Sequence, residues 1–176
     1  MIRKQTTAMK IAFLSMPCVL LVSCAGYHLN GSKPASLANV KTISVSMFAN
    51  KTQHIRAEAL ATSAVTSAFA QDGTYRFSSP GSSDAVLEGT VKKIEYTSIR
   101  GSRLDTLLPE ELNNTVTLSW QLKDAHDPTK VLASGESSGT SQLFVDSNLQ
   151  TARNNALPDA LERAAEALVS QLANGF

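Results

Sequence analysis

The N-terminal segment up to Cys24 restricts what the rest of the chain can become. Arg3, Lys4 and Lys10 form a basic head with no acidic residue nearby. Ile11 to Val22 then runs apolar, interrupted by Ser15 and Pro17, and closes on Leu21-Val22-Ser23-Cys24. A bilayer span takes about 20 residues, and this run is shorter. A basic head before a short apolar stretch reads as a secretory signal. The four residues at its end look like a lipobox: a branched apolar residue, a tolerant position, a small residue, then Cys. Only a thiol offers the sulfur nucleophile for diacylglyceryl attachment, and the small residue before it leaves the bond open to a peptidase. The expectation is cleavage before Cys24 and lipid on that residue.

Two acyl chains arrive with the diacylglyceryl group, and a third commonly follows on the new amine. At about 0.8 kcal/mol per buried methylene such an anchor is stable, where a single chain is marginal. Ala25 and Gly26 follow the cysteine. An Asp in the first of these positions favours inner-membrane retention in Gram-negative bacteria. Its absence points to the outer membrane, with the protein facing the periplasm.

The segment left to fold is then 24–176, which is 153 residues and suits one domain with one core. Three of the 16 Lys and Arg lie in the leader, leaving 13 against 15 acidic residues, a net charge of −2. Bulk charge therefore gives no reason to expect a nucleic-acid partner. Cys18 leaves with the signal and Cys24 carries lipid, so no internal disulfide is expected although the periplasm permits one.

Residues 1–23 are read as signal peptide, 24–39 as a lipidated tether and 40–176 as a single domain. Val40 to Phe48 alternates as a half-buried strand, with Ile43, Val45 and Met47 on one side. Ala57 to Gln71 carries an apolar stripe through Ala61, Val65 and Phe69, and Asp72-Gly73 ends it. Tyr75 to Ser78 is a short strand. In Ala85 to Ile99 the apolar phase slips at Lys92-Lys93, which predicts a bulge there. Asn114 to Lys123 alternates cleanly, with Val116, Leu118, Trp120 and Leu122 on one face. Val131 to Val145 is a last strand region containing Gly135 and Gly139. Thr151 to Leu172 is a second helix, with Pro158 kinking its interior or marking the first turn of its main part. The expected fold is α+β: a mostly antiparallel, mixed sheet of about four to five strands with two helices packed on one face.

The residues that could carry chemistry are sparse. His28, His54 and His126 show no metal-ligand spacing. Gly135-Glu-Ser-Ser-Gly139 matches Gly-x-Ser-x-Gly literally, with Ser137 in the nucleophile's place. The nucleophile elbow needs a strand-turn-helix setting, however, and this segment lies within a strand. Glu110-Glu111 is a loop pair. No enzyme, metal or cofactor is expected. The more suggestive group is basic. Lys92, Lys93, Arg100 and Arg103 cluster along one strand and its following loop, where cations could grip the phosphate or carboxylate of a lipid headgroup. The plainer reading is a solvated edge kept from aggregating by lysine.

Four stretches together resemble the LptE family of lipopolysaccharide-assembly lipoproteins. Cys24-Ala-Gly-Tyr-His-Leu29 is similar to its lipidated start. Thr42 to Thr52 is similar to its first strand, ending in Phe-x-Asn-x-Thr. Phe69 to Phe77 resembles its helix end and second strand. Asp84-Ala-Val-Leu-Glu-Gly-Thr90 resembles the opening of its third strand, with Ser83 in place of a leading Ala. The resemblance implies a non-enzymatic subunit plugged into the lumen of an LptD-type outer-membrane β-barrel, in contact with lipopolysaccharide and anchored in outer-membrane lipid through acylated Cys24. The Phe-x-Asn-x-Thr strand also occurs in related lipoproteins that activate cell-wall synthases or serve secretion channels. The Gly-Tyr after Cys24 and the Asp-Ala-Val-Leu-Glu-Gly segment favour lipopolysaccharide assembly.

Overall fold

A computed structural model describes residues 33–100, 111–144 and 148–175. The elements are β1 (Thr42–Val45), β2 (Ala49–Asn50), α1 (Ala57–Asp72), β3 (Arg76–Phe77), β4 (Ala85–Arg100), β5 (Glu111–Asp124), β6 (Val131–Phe144) and α2 (Leu149–Asn174). The sheet runs β3-β1-β4-β5-β6, with β2 also beside β4, so it has six strands rather than four or five. β1 is parallel to both its neighbours, and β4, β5 and β6 are antiparallel. The α+β class, the mixed sheet and the paired helices all agree with the sequence. A 3-10 turn at Ala35–Leu37 precedes β1 and buries Leu37, so the packed domain includes residues ahead of Val40.

The long strands follow from alternation. Val116, Leu118, Trp120 and Leu122 of β5 are all buried, as their spacing requires. The bulge in β4 is where the apolar phase slips: Val91 faces Leu118, Lys93 faces Thr117, and Lys92 is the extra residue. Past it, Ile94 and Tyr96 return to the side of Val116 and Asn114, rescuing the apolar phase. Helix α1 ends where Gly73 takes φ 72° and donates its N–H to the Phe69 carbonyl at 3.1 Å. In α2, Asn148 caps the first turn by accepting the Thr151 N–H at 3.1 Å, and the helix runs on through Pro158.

One expectation fails. Val40 to Phe48 does not continue as one alternating strand: residues 46–48 separate β1 from β2, Met47 is exposed and Phe48 is buried. The reason is a hole in the neighbouring strand. A Cβ on Gly89 would lie 2.1 Å from the Phe48 ring, so the ring occupies the space a side chain would need. The chain leaves the ladder to deliver it.

Both helices cover one face of the sheet, where the main core gathers Ile43, Phe48, Phe69, Leu87, Leu118 and Trp120 with the apolar stripe of α2. The small residues of β6 let α2 approach. A Cβ on Gly139 would meet the Ala160 carbonyl oxygen at 2.2 Å and the Ala164 nitrogen at 2.3 Å, while one on Gly135 would meet the Trp120 ring at 2.7 Å. The two glycines of the Gly-x-Ser-x-Gly match are thus packing positions. Ser137 between them lies mid-strand and buried, without the turn and helix of an elbow.

Candidate functional site

Between Glu88 and Thr97 the sheet's other face is bare and polar, with Val131 and Phe144 exposed at its two ends. Its cross-strand rows read Glu88-Gln121-Ser134, Thr90-Ser119-Glu136, Lys93-Thr117-Ser138, Glu95-Thr115-Thr140 and Thr97-Asn113-Gln142. No apolar side chain interrupts them. Hydroxyls pair directly across strands, Thr115 with Thr140 at 3.2 Å and Thr117 with Ser138 at 3.3 Å. Lys123 reaches Glu88 at 2.6 Å. Such a face holds its own network and still offers donors and acceptors outward.

The sequence-predicted basic group divides here. Lys92 and Lys93 do stand together at the bulge, but Lys92 pairs with Glu136 and Lys93 with Glu95 at 2.6 Å, so each carries its own counter-ion. Arg100 ends β4 opposite Glu111 in the register. Arg103 and Glu110 fall outside the described residues, as do Cys24 and His28. His126 is exposed in the β5–β6 turn, its Nδ1 3.6 Å from Asp124. Among the described residues no cluster of His, Cys, Asp or Glu could hold a metal.

A second feature was not legible from spacing. A cleft of about 960 Å³ lies between the β4 edge, the loop after β2 and the start of α2. Its geometry begins with Asn50, the Asn of the Phe-x-Asn-x-Thr motif. The carboxamide oxygen accepts from the Thr52 N–H at 2.9 Å and the Thr52 hydroxyl at 2.8 Å. Its nitrogen donates to the His54 carbonyl at 2.8 Å and to Glu58 at 2.9 Å. Three of these bonds pin the 51–56 loop and the fourth ties it to Glu58 in the first turn of α1, which explains why an Asn stands there: no other side chain of its size supplies two donors and an acceptor. The loop closes with Arg56 at φ 69°, a left-handed conformation that costs a non-glycine residue about 1–2 kcal/mol and so needs such anchoring.

The loop carries His54 to Tyr96 of β4, Nε2 to hydroxyl at 2.9 Å. Arg153 of α2 lies over the same ring, its Cζ 4.6 Å from the centroid. Burial, with the Arg153 charge adding to it, holds the His54 pKa below the ordinary histidine value. Burial raises the Tyr96 pKa, with Arg153 opposing. Both rings are therefore neutral at pH 7, and the charge here belongs to the arginine. The Arg153 Nε is buried without a hydrogen-bond partner among the described residues. Lys51 and Arg56 line the same cleft. None of these three cations has a carboxylate partner among the described residues. Ile55, 87% exposed, stands at the rim.

The fold and the motif positions agree with one family. The family model for LptE, described as lipopolysaccharide-assembly, matches residues 40–172. The chain belongs to the LptE family. Membership places this LptE-family chain in lipopolysaccharide assembly, a process of the Gram-negative envelope. It also extends the family likeness beyond Thr90, across β5, β6 and α2, where the sequence alone offers only pattern.

Solved structures share the fold at low identity. The hypothetical protein CT253 from Chlamydia trachomatis superposes with a TM-score of 0.54 at 8% identity, over 75% of this chain and 95% of that one. XCC0632 from Xanthomonas campestris gives 0.54 at 17% identity, over 77% and 85%. An uncharacterized lipoprotein B from Nitrosomonas europaea gives 0.49 at 15% identity, over 85% and 94%. Identities this low speak for the fold alone, and only the two superpositions above 0.5 do so. No curated protein sequence matches the chain.

Proposed function

We propose that this LptE-family chain is a lipoprotein, acylated on Cys24 and anchored in the outer membrane, that plugs an LptD-type β-barrel and assists lipopolysaccharide delivery to the outer leaflet. It works as a binding and assembly subunit, without catalysis. The family match over 40–172 carries the reading. The physical character of the domain supports it. Barrel lumens are polar, whether open or plugged. A subunit seated in one must present polar surface to the wall, and the open face of β4, β5 and β6 is polar from Glu88 to Thr97. The lipopolysaccharide contact is assigned to Lys92, Lys93, Arg100 and Arg103, the basic group of β4 and the segment after it. Lys92 and Lys93 contribute once the headgroup phosphate outcompetes Glu136 and Glu95.

Co-purification tests this directly. The full-length protein, extracted in mild detergent from its own outer membrane, should bring down a near-stoichiometric large β-barrel. Recovery with a cell-wall synthase, or alone, would overturn the plug reading.

A further inference from the structure

We propose that the first two turns of α2, residues 149–156, form a hinged flap over the cleft, swinging at Pro158 as one helical piece. The flap is independent of the plug reading. Proline lacks the N–H that would meet the Asn154 carbonyl, and its ring crowds that oxygen. A helix bends most readily where such a bond is missing. The packing on the two sides of Pro158 is unequal. From Leu157 onward α2 sends Leu157, Leu161, Leu168 and Leu172 into the main core. Ahead of that point Ala156 is buried and Leu149, Ala152 and Arg153 are half-buried, while Gln150, Thr151, Asn154 and Asn155 are exposed. The apolar contacts of this stretch form a separate small cluster with Leu112 and Leu143.

The seat beneath the flap is polar and poorly matched to it. Asn114 of β5 stands between Tyr96 and Ser141 in the sheet register and is fully buried. Neither its Oδ1 nor its Nδ2 has a hydrogen-bond partner among the described residues. The Ser141 hydroxyl donates instead to the Ala156 carbonyl at 2.7 Å. The Arg153 Nε is buried and unpartnered as well. Closing the flap strips water from these three polar atoms and puts nothing in its place; opening gives the water back. Against that stand one buried alanine, the Ser141 bond and Arg153 over the Tyr96 ring at 4.6 Å. Local opening of low free energy belongs to segments with slight apolar burial. The piece stays helical as it moves, because Asn148 accepts the Thr151 N–H at 3.1 Å and Gln150 donates to Asn154 at 3.2 Å. Gln150, Arg153 and Asn154 are the flap's share of the cleft wall. An open flap lifts Arg153 off Tyr96, uncovers Asn114 and widens the cleft beside His54.

Hydrogen–deuterium exchange of the full-length protein in detergent micelles tests this. Amides of residues 153–157 should exchange at least about tenfold faster than those of 162–172, although both stretches lie within one helix. Pro158→Ala restores the missing donor and should slow the first stretch about tenfold while leaving the second unchanged. Asn114→Leu, with an apolar side chain of similar size, should slow the same stretch by removing the unmet amide. Equal protection on both sides of Pro158 in the unsubstituted protein would overturn the flap. So would a Pro158→Ala protein whose two stretches slow together, since that marks a change in overall stability. Asn114→Cys gives a second reading. Its thiol should react with a maleimide despite the burial of the site, and added Pro158→Ala should slow the reaction by the same factor as the exchange. A thiol that reacts only as fast as the whole domain unfolds would refute the opening.

Discussion

Gly139→Ala is the sharpest test of how α2 sits on the sheet. The added methyl would lie 2.2 Å from the Ala160 oxygen and 2.3 Å from the Ala164 nitrogen, and 2.8 Å from the Arg163 Cβ. Ordinary contact begins near 3.4 Å. The first two atoms are helix backbone and cannot rotate away, so α2 must retreat by about 1 Å. A gap of that size forfeits a quarter to a half of the attraction at each affected contact. Leu157, Leu161 and Leu168 are all buried by this helix. Overpacking of this kind costs about 1–3 kcal/mol, and the backbone obstruction places Gly139 at the upper end. Reduced freedom of the unfolded chain returns about 0.4–1 kcal/mol, leaving a net loss of about 2 kcal/mol. Urea unfolding followed by the fluorescence of Trp120, the sole tryptophan, reads this directly. With a slope of about 2 kcal/mol/M the midpoint should fall by about 1 M at unchanged slope. Ser138→Ala, on the open face of the same strand, is the control and should shift little. A Gly139→Ala midpoint equal to that control would refute the close helix–sheet approach.

Other expectations are as specific. Trp120→Ala should cost about 3–5 kcal/mol in urea unfolding followed by far-UV circular dichroism, because the ring is buried between β5, Gly135 and the core; a loss under about 1 kcal/mol would contradict its burial. Asn50→Asp should destabilise more than Asn50→Ala, by melting temperature, because a carboxylate would face the His54 carbonyl and Glu58 in place of two donors. Asp84 accepts from the Lys41 and Thr42 amides and the Thr42 hydroxyl at 2.8–2.9 Å, and these bonds hold its carboxyl below the ordinary aspartate range. A folded-state pKa below the unfolded value gives stability present above the unfolded value and lost as pH falls through the folded one. Asp84→Asn should therefore flatten the loss of stability on acidification below about pH 4. Cys24→Ala should leave unprocessed precursor in the inner membrane, seen as slower migration on a gel; normal processing would remove the lipobox reading.

Where each residue's burial depends on its own strand or helix, the sequence was enough. β5 alternates large apolar and polar residues because its inner positions all meet the helices. The α1 stripe through Ala61, Val65 and Phe69 is buried for the same reason. The bulge at Lys92 was legible because a period-two pattern cannot change phase without an extra residue. Other features depend on partners far along the chain, and these only the tertiary structure decided. Met47 and Phe48 exchange faces because Gly89, some forty residues on, leaves room for a ring. Between Ala133 and Leu143 the inner face of β6 reads Gly135, Ser137, Gly139 and Ser141, without a large apolar residue. Gly139 is small because the backbone of α2 takes the space of a side chain, and Gly135 because the Trp120 ring does. The cleft is the clearest case. Lys51, Arg56 and Arg153 have no shared motif, and they meet because α2 returns across the sheet to the loop that Asn50 pins beside β4. Local periodicity determined the elements; the cleft was decided by packing between segments about a hundred residues apart, which no local pattern encodes.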